Sequence, residues 1–196
     1  MENNFQMVAK TMFGFEDLLE KELTQLGAQR VKKGVRNVTF YGDTGFMYKC
    51  NLSLRTAVKI LKPIASFKVV NETDLYDKIY NIKWENYIDH TGTIAINSTV
   101  HSNVFTHSQY ISLKAKDAIV DKIRSISGER PSVDLKFPDL KINIHIDKLF
   151  CNVSLDSSGE SLHKRGYKTA TNIAPINEVL AAGLVMLSGW DGQSDL

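Results

Sequence analysis

Residues 140–156, LKINIHIDKLFCNVSLD, carry the clearest pattern of secondary structure in this chain. Within residues 140–147, three isoleucines alternate with polar side chains, which is typical of a β-strand that buries one face. A second apolar segment, residues 149–156, begins directly after Asp147 and Lys148. Because so short a connection lets two strands pair side by side, the sequence predicts an antiparallel hairpin over residues 140–156.

The residues before this hairpin predict three further elements. Residues 93–101 alternate again and indicate a strand, while the apolar positions of residues 108–126 recur at helical spacing. Gly128 follows that helix and is typical of its end. Further upstream, Thr73 or Asp74 could begin a shorter helix that runs to residue 81.

The first 70 residues show the order strand, helix, strand, helix, strand. The predicted strands cover residues 5–10, 35–41 and 56–69. The first helix, residues 15–26, ends at Gly27, and Asp43 or Thr44 is expected to begin the second. This order resembles half or more of a ferredoxin-like unit, so the predicted fold class is α+β.

The composition is that of a globular protein with one domain or two small ones: 196 residues, 43% hydrophobic and 23% charged. No stretch approaches the roughly 18 consecutive apolar residues of a membrane helix, and the first residues lack the basic and apolar regions of a secretory signal. Cys50 and Cys151 lie among apolar neighbours and are expected to be reduced, buried thiols. We therefore expect a cytoplasmic location and no membrane partner.

The formal net charge of +2 is weak evidence for nucleic-acid binding, because strong binders are often more basic. The distribution is more informative, since a nearly neutral chain can still present one basic face. The basic residues form three groups, namely Arg30, Lys32, Lys33 and Arg36, then Lys114, Lys116, Lys122 and Arg124, and finally Lys164, Arg165 and Lys168. The first group could extend a basic face, or it could protect an edge strand by its charge.

The most specific motifs stand near the end of the chain. They are residues 162–168 (LHKRGYK), residues 174–184 (APINEVLAAGL) and residues 189–192 (GWDG). These motifs resemble the THUMP-domain RNA methyltransferases, and among them the branch of large-subunit (23S) rRNA guanine-N2-methyltransferases, some of which carry an older label as N6-adenine-specific DNA methylases. Residues 13–23 are similar to the opening helix of that family and residues 108–121 to its THUMP helix, so the resemblance covers essentially the whole chain.

The resemblance implies a domain plan and a function. The expected parts are a ferredoxin-like unit (1–70), a THUMP RNA-binding domain (71–157), a linker (158–173) and the start of a truncated Rossmann-like methyltransferase domain (174–196). The implied function is to hold structured RNA, in particular 23S rRNA, for methylation of a guanine N2. The methyl donor S-adenosylmethionine would bind to a methyltransferase domain that follows Leu196 and is an intramolecular partner of this chain.

No catalytic apparatus is expected in these 196 residues. In the family, a Gly-rich, Cys-containing cofactor loop follows the Trp-Asp-Gly motif, and an Asn-Pro-Pro-Tyr signature comes later. Neither precedes Leu196, so we expect a fragment cut at the boundary of the catalytic domain, without catalytic or cofactor-binding residues and inactive alone. The histidines and cysteines show no metal-ligand spacing, so no metal site is expected.

Seven residues are candidates for contact with RNA: Lys114, Lys116, Arg130, Lys164, Arg165, Tyr167 and Lys168. Lysine and arginine supply most contacts to phosphates, and an aromatic side chain in a basic segment suits base stacking. A solvated helix face explains Lys114 and Lys116 equally well, and Arg130 is a plain surface arginine in the alternative interpretation. Residues 163–168 could instead form a solubilising linker or dock on the catalytic domain, with Arg165 and Tyr167 nearer to that interface.

The helix predicted for residues 176–187 is apolar on nearly all sides, and such a helix must be buried. We expect it to dock on the THUMP block, to dock on a second copy of the chain, or to be poorly ordered. Two other functions stay open on the sequence alone. One is a fragment of a DNA adenine methyltransferase, and the other is a protein-interaction or dimerisation module, which the modest net charge and this apolar helix favour.

Overall fold

The computed structural model describes residues 4–166 and 174–190. The chain divides into two compact units, of which the first combines residues 1–62 with 157–196 and the second consists of residues 63–156. The boundary at Lys62 lies inside one long strand, Ala57–Lys68.

The first unit contains an antiparallel sheet. Its elements are β1 (Phe5–Thr11), α1 (Glu16–Leu26), β2 (Gln29–Gly34), β3 (Asn37–Gly42), α2 (Thr44–Ser53) and β4 (Ala57–Lys68), of which residues 57–62 belong to this unit. The strand order is β2-β3-β1-β4, and the pairings of β1 with β3 and β4 and of β2 with β3 are antiparallel. This βαββαβ order confirms the predicted ferredoxin-like unit and the α+β fold class.

Local capping signals decide where the helices of this unit begin and end. Gly27 has φ 99° and ends α1 as predicted, because a left-handed residue lets the chain leave the helix at no steric cost for glycine. Asp43, one of the two predicted caps, begins α2 by accepting a hydrogen bond from the N–H of Phe46 at 2.7 Å. In the core, the fully buried Met7 and Phe40 of the sheet pack with Leu19 of α1.

β2 is a strand that the sequence pattern does not predict. All of its residues are exposed or half-exposed and three are basic, so it lacks the buried face that marks a strand in a sequence. Its pairing with β3, from Gly34 opposite Asn37 to Gln29 opposite Tyr41, holds it at the edge of the sheet. Charged side chains at such an edge prevent pairing with other chains.

The second unit contains a mixed sheet and two helices. Its elements are α3 (Glu72–Tyr80), a 3-10 turn (Trp84–Asn86), β5 (Thr93–His101), α4 (Ser108–Ser127), β6 (Ser132–Val133), β7 (Leu140–Asp147) and β8 (Phe150–Asp156). The strand order is β8-β7-β5-β6. β7 and β8 form the predicted hairpin, in which Asp147 pairs with Phe150. β5 is parallel to β7, so α4 lies in the crossover that a parallel pair requires.

The start of α3 corrects one expectation. The N-cap is Asn71, whose side-chain oxygen accepts a hydrogen bond from the N–H of Asp74 at 2.8 Å. Asn71 is as good a cap as Thr73 or Asp74, so residue type could not decide among the three and the predicted start is wrong. Glu72 and Asp74 then stand in the first turn, where negative charge is favourable.

The core of the second unit is formed where α4 packs on the sheet. Ile142, Ile144 and Ile146 of β7 are fully buried with the apolar side of α4, as their alternation predicts. Trp84 is also fully buried, and its indole N–H donates to the carbonyl of Ile79 at 2.7 Å. This bond satisfies the one polar group that a buried tryptophan brings into the core.

The last described helix, α5 (Glu178–Leu187), packs within the first unit. Asn177 caps it by accepting a hydrogen bond from the N–H of Val179 at 2.9 Å. Val179 is buried with Phe15 and Leu18, at the start of α1. This position is none of the three expected for the helix, because a sequence does not show which apolar surface is available to it. None of the helices in the described part of the chain has the length and apolar content to cross a bilayer.

Candidate nucleic-acid interface

Helix α4 exposes the two lysines that the sequence singles out. Ile111, Ala115 and Ile119 face the core. Lys114 and Lys116 flank Ala115 and therefore lie about 200° apart around the helix axis. Both are half-exposed, at opposite edges of the outer side of α4, so their surroundings differ.

Lys114 belongs to a row of aromatic and cationic side chains along α3 and α4. Its ammonium nitrogen lies 5.3 Å from the ring centroid of Tyr76, and that of Lys122 lies 5.3 Å from the ring centroid of Tyr80. The two tyrosine rings stack, with centroids 6.1 Å apart. We call Tyr76, Tyr80, Lys114 and Lys122 the cation–tyrosine row. It combines positive charge for phosphates with flat apolar surface for bases or sugars.

A hydrogen bond fixes one end of this row. The hydroxyl of Tyr76 donates to the carboxylate of Asp121 at 2.8 Å. Burial and this bond to Asp121 raise the pKa of Tyr76 to about 12, so the phenol stays protonated at neutral pH and keeps donating. The ring beneath Lys114 is thereby held in one orientation.

Lys116 stands beside a groove between α4 and β5. Its ammonium group pairs with Asp117 at 2.8 Å, and at such exposure this pair contributes little stability. The groove has a volume of about 400 Å³. Its lining mixes amide, hydroxyl, ammonium and apolar side chains, among them Asn97, Gln109, Ser112, Leu113, Lys116 and Leu135. Such a mixture can contact both the edge and the face of an unpaired base.

Arg130 lies in the loop that joins α4 to β6. The loop begins at Gly128, which has φ 79° and ends α4. Arg130 is exposed, and its neighbour Glu129 lies 3.5 Å from the ring of His90. The side chain of Arg130 is thus presented to solvent by a loop on a rigid scaffold, a placement that suits contact with a ligand.

Lys164 and Arg165 are placed differently although they are adjacent. Lys164 is exposed. Arg165 is half-buried and donates from Nη1 to the carbonyls of Asn51 and Leu52, at 3.1 and 2.9 Å, and from Nη2 to that of Leu54 at 2.5 Å. Most of its donors are therefore used inside the protein, at the C-terminal end of α2. Tyr167 and Lys168, the other two candidates, lie outside the described residues.

The tyrosines are the part of this surface that residue-by-residue analysis misses. Tyr76 and Tyr80 stand four residues apart, which places them on one side of α3. This spacing is the sequence pattern that could have identified them as a pair. Their pairing with Lys114 and Lys122 depends on how α3 packs on α4, which no local pattern shows. Lys122 is not among the seven candidate residues, because a solvated helix face is enough to explain a lysine there. In the structure it belongs to the same row.

The described residues include no group of three His, Cys, Asp or Glu side chains that could hold a metal ion. Cys50 and Cys151 are free and buried, as predicted. Burial raises the pKa of the Cys50 thiol and that of the Cys151 thiol to about 12, so neither is a thiolate nucleophile at neutral pH.

Two domain families match the chain. Residues 6–61 match the RlmL ferredoxin-like domain and residues 69–156 match the THUMP domain. The first match lies in the first unit and the second match in the second unit.

Longer proteins contain a similar sequence and structure. A ribosomal RNA large subunit methyltransferase K/L of Aeromonas hydrophila is 41% identical over 180 residues, which are 92% of this chain and 25% of that protein. A structure described as a predicted N6-adenine-specific DNA methylase from Listeria monocytogenes has a TM-score of 0.83 and 29% identity, over 96% of this chain and 49% of that one. The structure of SMU.472 in complex with SAH has a TM-score of 0.82 and 30% identity, over 97% of this chain and 50% of that one. This chain thus spans between a quarter and a half of the proteins it resembles.

Proposed function

The two domains of this chain belong to the RlmL ferredoxin-like and THUMP families, and from this premise we propose that the chain is the RNA-holding part of an S-adenosylmethionine-dependent rRNA guanine-N2-methyltransferase. In this proposal it binds structured RNA, which is 23S rRNA in the parent protein. It presents that RNA to a methyltransferase domain that follows Leu196. S-adenosylmethionine supplies the methyl group in that second domain, and the residues described above bind and orient the RNA.

The observation that carries the proposal is the cation–tyrosine row on the THUMP domain. Lys114 and Lys122 are each supported by a tyrosine ring within 5.3 Å. A cation held over a ring loses less freedom when it meets a phosphate than a fully mobile lysine does. The relative in Aeromonas hydrophila is named for ribosomal RNA, and this name supports RNA as the ligand.

The candidate residues have different roles in the proposal. Lys114, Lys116 and Arg130 of the THUMP domain contact phosphates, and the groove beside Lys116 receives an unpaired base. Lys164 adds a contact from the first unit, and Tyr167 and Lys168 are proposed on sequence alone. Arg165 positions this segment on α2, because its donors already bind backbone carbonyls.

Such contacts recognise shape rather than sequence. Phosphate contacts fix the register of an RNA helix without reading its bases, and the narrow major groove of an RNA duplex excludes side chains. The choice of nucleotide would therefore depend on the fold of the RNA and on the catalytic domain.

The test is a binding titration of the 196-residue chain with a labelled RNA hairpin, repeated at several salt concentrations. We expect affinity to fall steeply with ionic strength, and the double variant Lys114→Gln/Lys116→Gln to reduce the slope of log K against log salt by about 2. Lys68→Gln, which removes an exposed lysine of the same unit, is the matched control and should leave most of the slope intact.

Two results would overturn the proposal. A chain that binds no RNA hairpin even at low salt has no RNA-holding role. A chain that binds duplex DNA of equal length as tightly as the hairpin fits a DNA methyltransferase, the function named for the structure from Listeria monocytogenes.

A further inference from the structure

The strands of the ferredoxin-like unit carry charges of one sign only. Residues 5–11, 29–34, 37–42 and 57–62 include six Lys or Arg residues and no Asp or Glu. Four acidic residues of this unit stand together on α1, namely Glu16, Asp17, Glu20 and Glu22. Lys33 pairs with Asp17 and Glu20, and Arg55 pairs with Glu22, so three of these carboxylates are paired with a cation, while the carboxylate of Glu16 accepts hydrogen bonds from the backbone N–H groups of Gly14 and Arg36.

The register of the sheet places Lys10 and Lys32 on the face of the sheet that is turned away from the helices. Met7 and Phe40 point into the core against the helices, so their neighbours in β1 and β3 point to the opposite face. Lys32 pairs with Thr39 of that face, and Lys10 pairs with Asn37. Because neighbouring strands lie about 5 Å apart, Lys32 and Lys10 start from strands about 10 Å apart, on either side of β3. We call Lys10, Arg30, Lys32, Arg36 and Tyr41 the strand face.

A β-bulge adds Arg30 to this face. Gln29 pairs with Tyr41 and Lys32 pairs with Thr39, so two residues of β2, Arg30 and Val31, stand opposite the single residue between them. Arg30 has φ 51°, a conformation that is uncommon for residues other than glycine and typical of bulges that redirect a side chain. Its guanidinium carbon lies 5.4 Å from the ring centroid of Tyr41. The result is a planar cation supported by an aromatic ring at the protein surface.

Arg36 is fixed at the adjoining turn between β2 and β3. Its backbone N–H donates to the carboxylate of Glu16 at 2.8 Å, and its carbonyl accepts from the N–H of Thr11 at 3.0 Å. The side chain of Arg36 is left exposed. Burial, and next the nearby charge of Arg36, lower the pKa of Lys10, so two like charges stand close together. Within the described residues, the side-chain cations of Lys10, Lys32 and Arg36 form no ion pair with a carboxylate.

We propose that the strand face binds a single-stranded segment of RNA, with phosphates beside Lys10, Lys32 and Arg36 and one base stacked on the guanidinium of Arg30. The proposal rests on the proposed function, because the segment belongs to the RNA held by the THUMP domain, and it adds a second contact area. A surface of unpaired cations is complementary to a polyanion. The Arg30–Tyr41 stack favours RNA over an acidic protein segment, because an unpaired base has a flat face to lay on a guanidinium plane.

The experiment measures binding of the 196-residue chain to a labelled single-stranded RNA of about 12 nucleotides, a length within the range of one such site. The triple variant Lys10→Gln/Lys32→Gln/Arg36→Gln should reduce the slope of log K against log salt by about 2, since each phosphate contact on a single strand contributes about 0.7. Lys32→Gln alone should weaken binding more than Lys21→Gln, which removes an exposed lysine from α1 of the same unit.

Two variants of Arg30 test the stacking step while avoiding any large change in the fold. Arg30→Gln removes both the positive charge and the planar guanidinium group. Arg30→Lys keeps the positive charge but removes the planar group. We expect both to weaken binding of single-stranded RNA about fivefold or more, because stacking of one base has an effect of that size. Full retention of affinity in Arg30→Lys would show that no base stacks there.

The outcomes separate this proposal from the proposed function. If the triple variant binds single-stranded RNA as the original chain does, the strand face is not an RNA site, whatever the hairpin titration shows. If an acidic peptide binds the strand face and single-stranded RNA does not compete with it, the face serves a protein partner and the proposal fails. Loss of hairpin binding in Lys114→Gln/Lys116→Gln, with single-stranded binding retained, supports two separate contact areas.

Discussion

Arg165 and Leu54 are joined by a hydrogen bond of 2.5 Å from the guanidinium Nη2 to the backbone carbonyl. Leu54 is the C-cap residue of α2, directly after Ser53, and the same guanidinium also binds the carbonyls of Asn51 and Leu52. The last carbonyls of a helix lack partners within it and carry partial negative charge. The sequence motif around Arg165 predicts contact with RNA. In the structure, Arg165 instead anchors its own segment to α2.

The substitution Arg165→Gln should lower the free energy of unfolding by about 1–3 kcal/mol, because it removes charged hydrogen bonds to carbonyls that would then be poorly satisfied. Denaturation in urea measures the change. Lys164→Gln, one residue away and exposed, should alter stability by less than about 0.5 kcal/mol. Unchanged stability together with weaker RNA binding in Arg165→Gln would instead make Arg165 an RNA ligand.

The substitution Gly183→Ala should destabilise the packing of α5. A methyl group at this position would lie 2.1 Å from a ring carbon of Phe15, so the ring or the helix must shift at a cost of about 1–3 kcal/mol. Thermal unfolding followed by circular dichroism tests this. Gly45→Ala is the control, since alanine there meets only Asp43, at 3.5 Å, and favours helix α2. Equal melting temperatures for Gly183→Ala and the original chain would show that α5 does not pack closely on Phe15.

The substitution Glu22→Gln should cost about 2–3 kcal/mol of stability. Glu22 is 4% exposed, and its carboxylate accepts hydrogen bonds from the backbone N–H groups of Arg55 and Thr56, at 3.1 and 3.0 Å. The hydroxyl of Thr56 also donates to it, at 2.5 Å. The side-chain amide of glutamine would place its NH2 group, which is a hydrogen-bond donor, against some of these donors. Glu20→Gln, which removes a surface partner of Lys33, should cost less than about 1 kcal/mol, and a similar loss in both variants would contradict the role assigned to Glu22.

The two thiols should resist alkylation in the folded chain. Because burial raises the pKa of Cys50 and of Cys151 to about 12, neither ionises as the pH rises from 7 to 9, where an ordinary thiol does. Mass spectrometry after iodoacetamide treatment should find no modification of the native chain over this range and two modifications after unfolding in urea. Rapid modification of either cysteine at pH 8 in the native chain would contradict the buried placement.

Local patterns predicted most of the regular structure. The alternation in β7, the helical spacing in α4 and the cap at Asp43 all act within a few residues, so a sequence shows them directly. β2 escaped detection because its exposed, basic residues have no buried face. The start of α3 was missed because Asn71 and its two neighbours are equivalent as caps.

The sequence alone determined the two domain types, the helices and strands with strong periodicity, and the presence of basic groups. Only the tertiary structure decided which of those cations are paired within the protein and which can contact a ligand. Periodicity assigns a side chain to a face of its own helix or strand, whereas the partners on that face come from distant residues. Lys33 and Lys32 are adjacent in β2 and both are exposed, yet the sheet turns the first toward the carboxylates of α1 and the second toward the opposite face, where it forms no ion pair with a described carboxylate. In the same way Arg165 faces the end of α2 while Lys164 faces solvent.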